Sequence, residues 1–256
     1  MFEEILNLHQ GEFIPEAYSI EADRWAAKHK YTDMHPAICD AEAELSGVPG
    51  FSWTEFSRNN LRDVWRSDRC SFSTKYIATL WWGNVNFRIK ARVFSPGNMT
   101  RLQDVSPRLE QALTGASAAT DFPVFQNRLT AIFENMLRGG DFYIACVGSA
   151  FFTKVLQFFF AANPVAANPG FLPIIADRWL MQAVYCEMTD LGAAELRDHV
   201  FRFYKGAVSL RNESAEAYGE YIRFFNDRCA ELGVSAWDME PRLFRNPLVR
   251  ARFQQF

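Results

Sequence analysis

The stretch that decides the fold is residues 139–179, GGDFYIACVGSAFFTKVLQFFFAANPVAANPGFLPIIADRW. A short apolar segment, Asp141–Val147, leads into a tight turn at Gly148, and Ala150–Ala162 then restarts a helix that contains Lys154. A loop rich in Pro and Asn follows, and the last seven residues place an Asp where a further helix begins. We therefore expect a helix, a turn, a second helix, a loop and then a third helix that begins at an Asp.

The rest of the chain has mainly helical spacing. Apolar residues in Asp121–Arg138 recur at helical intervals, and Asp121 is a suitable cap. Residues 215–232 repeat the pattern between Ser214 as cap and Gly233 as stop. Strand-like alternation is scarce, and its best candidate is Asn84–Phe94. These patterns predict an all-α fold, with two helical lobes and a cleft between them.

Charge is distributed unevenly along the 256 residues. The composition, 49% hydrophobic and 22% charged, is that of a globular protein, and the net charge of −3 does not indicate a nucleic-acid binder. However, residues 1–55 hold three basic and eleven acidic side chains, whereas residues 56–108 hold ten basic and three acidic ones. The last sixteen residues add four arginines and no acid. This asymmetry indicates either a surface that faces a polyanion or unevenly charged solvated helices.

The cysteines and the beginning of the chain bear on compartment and metal binding. Five cysteines at irregular spacing, with no Cys-x-x-Cys pair, argue against a disulfide framework and a zinc site. Glu3 and Glu4 follow Met1 where a signal peptide would be basic and then apolar. No apolar run is long enough to span a bilayer. We expect a cytoplasmic protein without membrane contact, metal site or cofactor.

Turn, helix and Asp together favour chemistry on a nucleotide. The first-turn N–H groups of a helix lack partners within that helix and attract phosphate oxygens. A carboxylate nearby, here Asp177, can stabilise an oxocarbenium-like sugar or position a water for attack at its anomeric carbon. The alternative is that Asp177 only caps its helix, and the two roles are compatible. Backbone N–H bonds to Asp177 would keep its carboxylate ionised.

These residues resemble a known family. The segments Cys146–Lys154 and Pro173–Trp179 look like the helix-hairpin-helix superfamily of DNA glycosylases, and more narrowly its bacterial 8-oxoguanine-glycosylase-like branch. Leu80–Asn84 and Tyr218–Phe244 add to the resemblance, which spans about residues 70–245. It implies an enzyme that flips a base out of duplex DNA and breaks its N-glycosidic bond.

One departure concerns the lysine that bifunctional relatives place two residues after the hairpin glycine. That position holds Ala150, and Lys154 lies four residues later, on the same helix face one turn along. Strand cleavage by β-elimination is therefore doubtful, and a monofunctional enzyme that leaves an abasic site is favoured. We expect Asp177 and then Lys154 to be catalytic, although a lone lysine is often a surface residue.

Further candidates follow from the needs of a flipped base and of phosphates. The candidates for the base pocket are six aromatic residues that could form its walls and one amide that could contact the base: Trp81, Trp82, Asn84, Phe151, Trp179, Tyr221 and Phe225. The alternative is that the aromatic residues belong to the core. Candidates for DNA binding are Gly148, Ser149, Arg58, Arg62, Lys75, Arg88 and Arg178, the first two arginines being alternatively part of a solvated face.

The sequence thus predicts an acidic helical region, residues 1–69, and a glycosylase-like domain, residues 70–256. We expect a monomer that acts on modified or damaged double-stranded DNA. The resemblance suggests two substrates, 8-oxoguanine in base-excision repair or glucosylated hydroxymethylcytosine of phage DNA in anti-phage defence, with a slight preference for the second. A non-catalytic helical DNA-binding module is the alternative from another class.

Overall fold

A computed structural model describes residues 1–8, 35–51, 56–83 and 92–256 of the chain. Within these ranges the helices are α1 (Phe2–Leu8), α2 (Pro36–Ser46), α3 (Arg58–Arg66), α4 (Phe72–Trp82), α5 (Pro96–Ser117), α6 (Phe122–Met136), α7 (Ser149–Ala162), α8 (Arg178–Asp190), α9 (Ala194–Val200), α10 (Ala215–Glu231), α11 (Ala236–Leu243) and α12 (Pro247–Phe253). The strands are β1 (Phe201–Tyr204) and β2 (Ala207–Leu210). The predicted all-α class is confirmed.

Local sequence signals explain where several helices begin. Ser57 opens α3 with a capping box, in which its hydroxyl accepts from the N–H of Asn60 and the Asn60 side chain accepts from the N–H of Ser57. Ser214 caps α10 by accepting from the N–H of Ala217. The predicted helices at 121–138 and 215–232 match α6 and α10 closely because their apolar stripes are local features, although Asp121 at the start of α6 makes no side-chain cap bond.

A single hydrophobic core runs from Phe2 to Phe253. Phenylalanine edges meet phenylalanine faces throughout it, for example Phe133 on Phe152 with ring centroids 5.0 Å apart. Helix α7 packs against α3, α4 and α5, and α10 packs against α6. Helices on both sides of the predicted boundary at residue 69 share this core, and the boundary stays a prediction.

The antiparallel hairpin of β1 and β2 was not predicted from the sequence. Phe201 pairs with Leu210 and Tyr204 with Ala207, so only Lys205 and Gly206 form the turn. Both turn residues have positive φ, 49° and 71°, as a two-residue hairpin turn requires. The strand candidate Asn84–Phe94 lies largely outside the described residues.

The prediction that Asp141–Val147 forms a short helix is wrong. We call residues 137–148, which connect α6 to α7, the hairpin loop, and it consists of turns. Gly139 and Cys146 have φ of 92° and 67°, in the left-handed region that interrupts a right-handed helix. Ile144 and Val147 of this segment are buried in the core, whereas Ala145 and Cys146 are exposed.

Side chains of α5 hold the hairpin loop in place. The Arg101 guanidinium donates to the carbonyl oxygens of Asp141 and Tyr143, at 2.7 and 3.3 Å. The Asn98 amide donates to the Ala145 carbonyl oxygen at 2.8 Å. These bonds provide partners for loop carbonyl oxygens that are not hydrogen-bonded within a helix, and they fix the direction in which α7 begins.

Candidate active site

Asp177 is the N-cap of α8. Its Oδ1 accepts hydrogen bonds from the backbone N–H groups of Trp179 and Leu180, at 2.9 and 3.0 Å. A carboxylate at this position also meets the positive end of the helix dipole. The predicted cap is therefore present, and the half-buried side chain is fixed in one orientation.

The residues before Asp177 run as a buried extended segment, Phe171–Ala176, which pairs with no strand among the described residues. Side chains of α10 form hydrogen bonds with the backbone of this segment. The Asn226 amide accepts from the N–H of Leu172 and donates to its carbonyl oxygen, both at 2.9 Å. The Tyr218 hydroxyl donates to the Ile174 carbonyl oxygen at 3.1 Å, and the Tyr221 hydroxyl donates to the Ile175 carbonyl oxygen at 2.9 Å. The extended segment is thereby tied to α10 directly before Asp177.

Thr153 connects the extended segment to α7. Its hydroxyl accepts from the backbone N–H of Ala176 at 3.0 Å and donates to the Ser149 carbonyl oxygen at 2.6 Å. Ala176 directly precedes Asp177, and Thr153 directly precedes Lys154. One buried hydrogen bond therefore joins the residue before Lys154 to the residue before Asp177.

Lys154 projects from α7 between aromatic rings. Its Nζ lies 5.1 Å from the ring centre of Phe151 and 5.8 Å from that of Trp82, within the range of cation–π attraction. The Trp82 ring packs edge-on against Phe158 at 5.1 Å. Gly83 lets the end of α4 approach this wall, because a Cβ there would lie 3.2 Å from the Phe151 ring.

The charges of Lys154 and Asp177 act on each other. Burial lowers the pKa of Lys154, and the Asp177 carboxylate opposes that shift. Burial raises the pKa of Asp177, against the lowering effects of the Leu180 N–H, of Lys154, of the Trp179 N–H and of Arg245. The backbone hydrogen bonds expected from the sequence are present and lower the pKa of Asp177, but burial has the larger effect. Lys154 and Asp177 are therefore close enough for each charge to affect the pKa of the other group.

Glu240 on α11 is a third ionisable group here, and sequence reasoning did not single it out. The buried carboxylate accepts from Arg58 Nη2 at 2.9 Å and from the Gln157 amide. Burial raises the pKa of Glu240 to about 7, Arg58 lowers it, and the negative charge of Asp177 raises it further. A signal was present, because Glu240 occupies an apolar-stripe position beside Met239 on an otherwise amphipathic helix.

The first turn of α7 faces outward at the hairpin loop. Gly148 is its N-cap and has no side chain that could bond the free N–H groups of the turn. Gly148 is exposed and Ser149 is half-buried. The geometry thus offers backbone donors, an aromatic wall and a Lys–Asp pair on adjoining elements.

Comparison with known proteins assigns the chain to a family. Residues 13–244 match the family described as "Putative 8-oxoguanine DNA glycosylase OGG-like protein". All but the first twelve and the last twelve residues are matched, and the matched part includes Lys154, Asp177 and Glu240. The chain belongs to this OGG-like family. No curated protein and no solved structure matches the chain.

Membership of the OGG-like family supports a DNA glycosylase in general and implies DNA binding. In the parts of the chain that the structure describes, no three His, Cys, Asp or Glu side chains are grouped so that they could hold a metal ion. Over the same residues, no helix has the length and apolar character needed to cross a bilayer. Cys70, Cys146, Cys186 and Cys229 form no disulfide with any described residue.

The remaining base-pocket candidates of this OGG-like chain lie in different surroundings. Trp81 is half-buried beside Phe94, 6.0 Å away, and Trp179 is also half-buried. Tyr221 is fully buried beneath Asp177, whose charge acts on its hydroxyl. Phe225 is enclosed in the core. Asn84 lies outside the described residues.

The basic candidates are also distributed. Arg178 is exposed next to Asp177, with its guanidinium 5.8 Å from the ring centre of Trp179. Lys75 is half-buried on α4. Arg58 is buried against Glu240, and Arg62 lies half-buried one turn further along α3. Arg88 lies outside the described residues.

Proposed function

We propose that the chain is a DNA glycosylase that flips a modified base out of duplex DNA and hydrolyses its N-glycosidic bond, leaving an abasic site. The observation that carries the proposal is the pairing of Lys154 with Asp177 at one half-buried site, within the part of the chain that matches the OGG-like family. Perturbed pKa values of facing groups are typical of functional sites.

The proposed chemistry assigns opposite proton transfers to the two groups. The C1′–N bond breaks with its electron pair moving to the base, which takes a proton from the Lys154 ammonium. A water oxygen bonds to C1′, and its proton passes to the Asp177 carboxylate. That carboxylate also stabilises the positive charge that develops on the sugar.

The pKa shifts favour this assignment. Burial lowers the pKa of Lys154 and so makes its ammonium a stronger acid. Burial raises the pKa of Asp177 and so makes its carboxylate a stronger base. Burial thus helps Lys154 to donate a proton and Asp177 to accept one, as the proposed mechanism requires.

The aromatic residues around Lys154 supply the proposed wall for the flipped base. Trp82 and Phe151 both lie within 6 Å of Nζ, and Trp179 follows two residues after Asp177. A flipped base needs such apolar or aromatic surfaces to replace the stacking that it loses. The duplex would be held by the hairpin N–H groups and by Arg178.

The proposed substrate is a modified base, and two are compared directly. The family description names 8-oxoguanine, whereas the resemblance also suggests glucosylated hydroxymethylcytosine in phage DNA as a defence target. The protein is incubated with duplexes that carry each base, and released bases are identified by mass spectrometry. Release of the glucosylated base supports the defence role, and release of 8-oxoguanine alone supports the repair role.

Alkali treatment of the same duplexes tests the reaction type. Strand breaks that appear only after alkali support hydrolysis to an abasic site. Breaks without alkali, together with borohydride trapping of the protein on DNA, would instead show that an amine of the protein acts as a nucleophile, with Lys154 as the candidate. Binding to every duplex without release of any base would favour the non-catalytic DNA-binding module.

A further inference from the structure

A cleft of about 300 Å³ lies between α3 and α11, outside the Lys154–Asp177 pair. We call it the arginine cleft. Its lining residues are Arg58, Asn59, Arg62, Trp237, Asp238, Pro241 and Arg242. Three guanidinium groups line this small cleft, and arginine is a geometrically suited partner of phosphate.

Arg58 forms the inner wall of the arginine cleft and is only 7% exposed. Its Nη1 donates to the Trp237 carbonyl oxygen at 2.8 Å, and its Nη2 donates to Glu240 at 2.9 Å. The guanidinium lies 3.7 Å from the centre of the Trp237 ring. The third donor, Nε, is buried and has no hydrogen-bond partner among the described residues.

Arg62 lies one helical turn further along α3, and it too has a buried donor without an acceptor among the described residues. Its guanidinium is 5.0 Å from the Trp237 ring centre, and its buried Nε also has no hydrogen-bond partner among the described residues. A buried donor without an acceptor destabilises the protein. One acceptor with several oxygens, bound in the arginine cleft, would serve both donors.

The described residues that line the arginine cleft include more arginines than carboxylates. Among the described residues that line the cleft, Asp238 is the acidic one, and its carboxylate accepts from the Ser235 hydroxyl at 2.5 Å. Glu240 lies behind Arg58 and neutralises part of its charge.

We propose that the arginine cleft binds a phosphate group of the substrate DNA strand. The inference rests on the proposed function, and the cleft's connection to the active site favours DNA over a free anion. Arg58 reaches Glu240, and Glu240 bonds Gln157, which is three residues beyond Lys154 on α7. Side-chain contacts therefore join the arginine cleft to α7, the helix that carries Lys154.

Arg62→Gln tests the proposal, with Arg66→Gln as the matched control. Arg66 is on the same helix but is half exposed and lies 4.0 Å from Asp63, outside the cleft. Binding of a duplex with an uncleavable abasic-site analogue is measured by fluorescence anisotropy at several salt concentrations. Arg62→Gln should reduce the salt slope by about one unit and weaken binding by roughly 5- to 10-fold at moderate salt. Arg66→Gln and Arg62→Lys should keep the parent slope.

Methylphosphonate substitution identifies the phosphate. Neutralising each phosphate around the target nucleotide in turn should weaken binding of the parent at one position, and that effect should be absent in Arg62→Gln. Equal slopes for Arg62→Gln and Arg66→Gln would overturn the proposal. So would a methylphosphonate profile that Arg62→Gln leaves unchanged.

A titration with inorganic phosphate separates a strand phosphate from a free one. Phosphate binding that depends on Arg62, combined with an unchanged DNA slope, would overturn the assignment to DNA. Both measurements record binding and not excision. An Arg62-dependent slope without base release would therefore contradict only the proposed function, and base release with an unchanged slope would contradict only this inference.

Discussion

Replacing Glu240 by Gln should change how the stability of the protein depends on pH. The carboxylate is 4% exposed and accepts hydrogen bonds from Arg58 and Gln157. Gln keeps the size of the side chain and one acceptor oxygen but cannot titrate. The substitution thus removes the ionisation of Glu240 while its neighbours keep a partner.

The magnitude follows from the pKa of Glu240, about 7 in the folded protein against 4.5 as the ordinary value. Between these values the folded protein binds more protons at Glu240 than the unfolded chain does. The free energy of unfolding therefore falls as pH rises through this window. One pKa unit corresponds to about 1.4 kcal/mol, so the parent should lose about 2 to 3 kcal/mol more than the variant between pH 5 and pH 8.

Urea denaturation at pH 5, 6, 7 and 8 measures this difference. The comparison between parent and variant matters because burial raises the pKa of Asp177 as well, and that contribution is present in both proteins. Glu134→Gln on the exposed face of α6 is the control and should keep the parent slope. Parallel curves for the parent and Glu240→Gln would refute the reasoning, because they would mean that Glu240 does not titrate in this range.

Two further predictions concern the frame around the site. Tyr221→Phe removes the hydroxyl that bonds the extended segment and should lower the free energy of unfolding by about 1 to 2 kcal/mol, whereas the exposed Tyr204→Phe should change it little. Gly140→Ala places a Cβ 2.3 Å from a backbone oxygen of α6 and should destabilise by about 1 to 3 kcal/mol. Gly115→Ala, in open space on α5, should be neutral or stabilising. Chemical denaturation checks both pairs, and equal values for Gly140→Ala and Gly115→Ala would contradict the packing described here.

Much of the helical fold was predictable because its determinants are local. The caps Ser214 and Asp177 each bond N–H groups within three residues. The strand pair β1–β2 was missed because a segment of four residues is too short for a clear alternation. Its one strong signal was the Lys205-Gly206 turn.

The active site was predictable only in part. Asp177 and Lys154 stand out by their order after the hairpin, but their mutual electrostatic effect depends on the Thr153 bond to the extended segment. Glu240 and the arginine cleft arise from the approach of α3 to α11, which are far apart in the sequence. Such long-range pairings leave no mark in local spacing.

The measurement that tests the central claim most directly is the single-turnover rate of base release by Asp177→Asn. Asn is as good a helix cap as Asp, so the fold of α8 should persist. The control is Asp121→Asn, at the exposed N-cap of α6, where no side-chain cap bond exists. We expect Asp177→Asn to release base at least about 100-fold more slowly than the parent, with DNA binding retained and Asp121→Asn unaffected. Equal rates for Asp177→Asn and the parent would contradict the account.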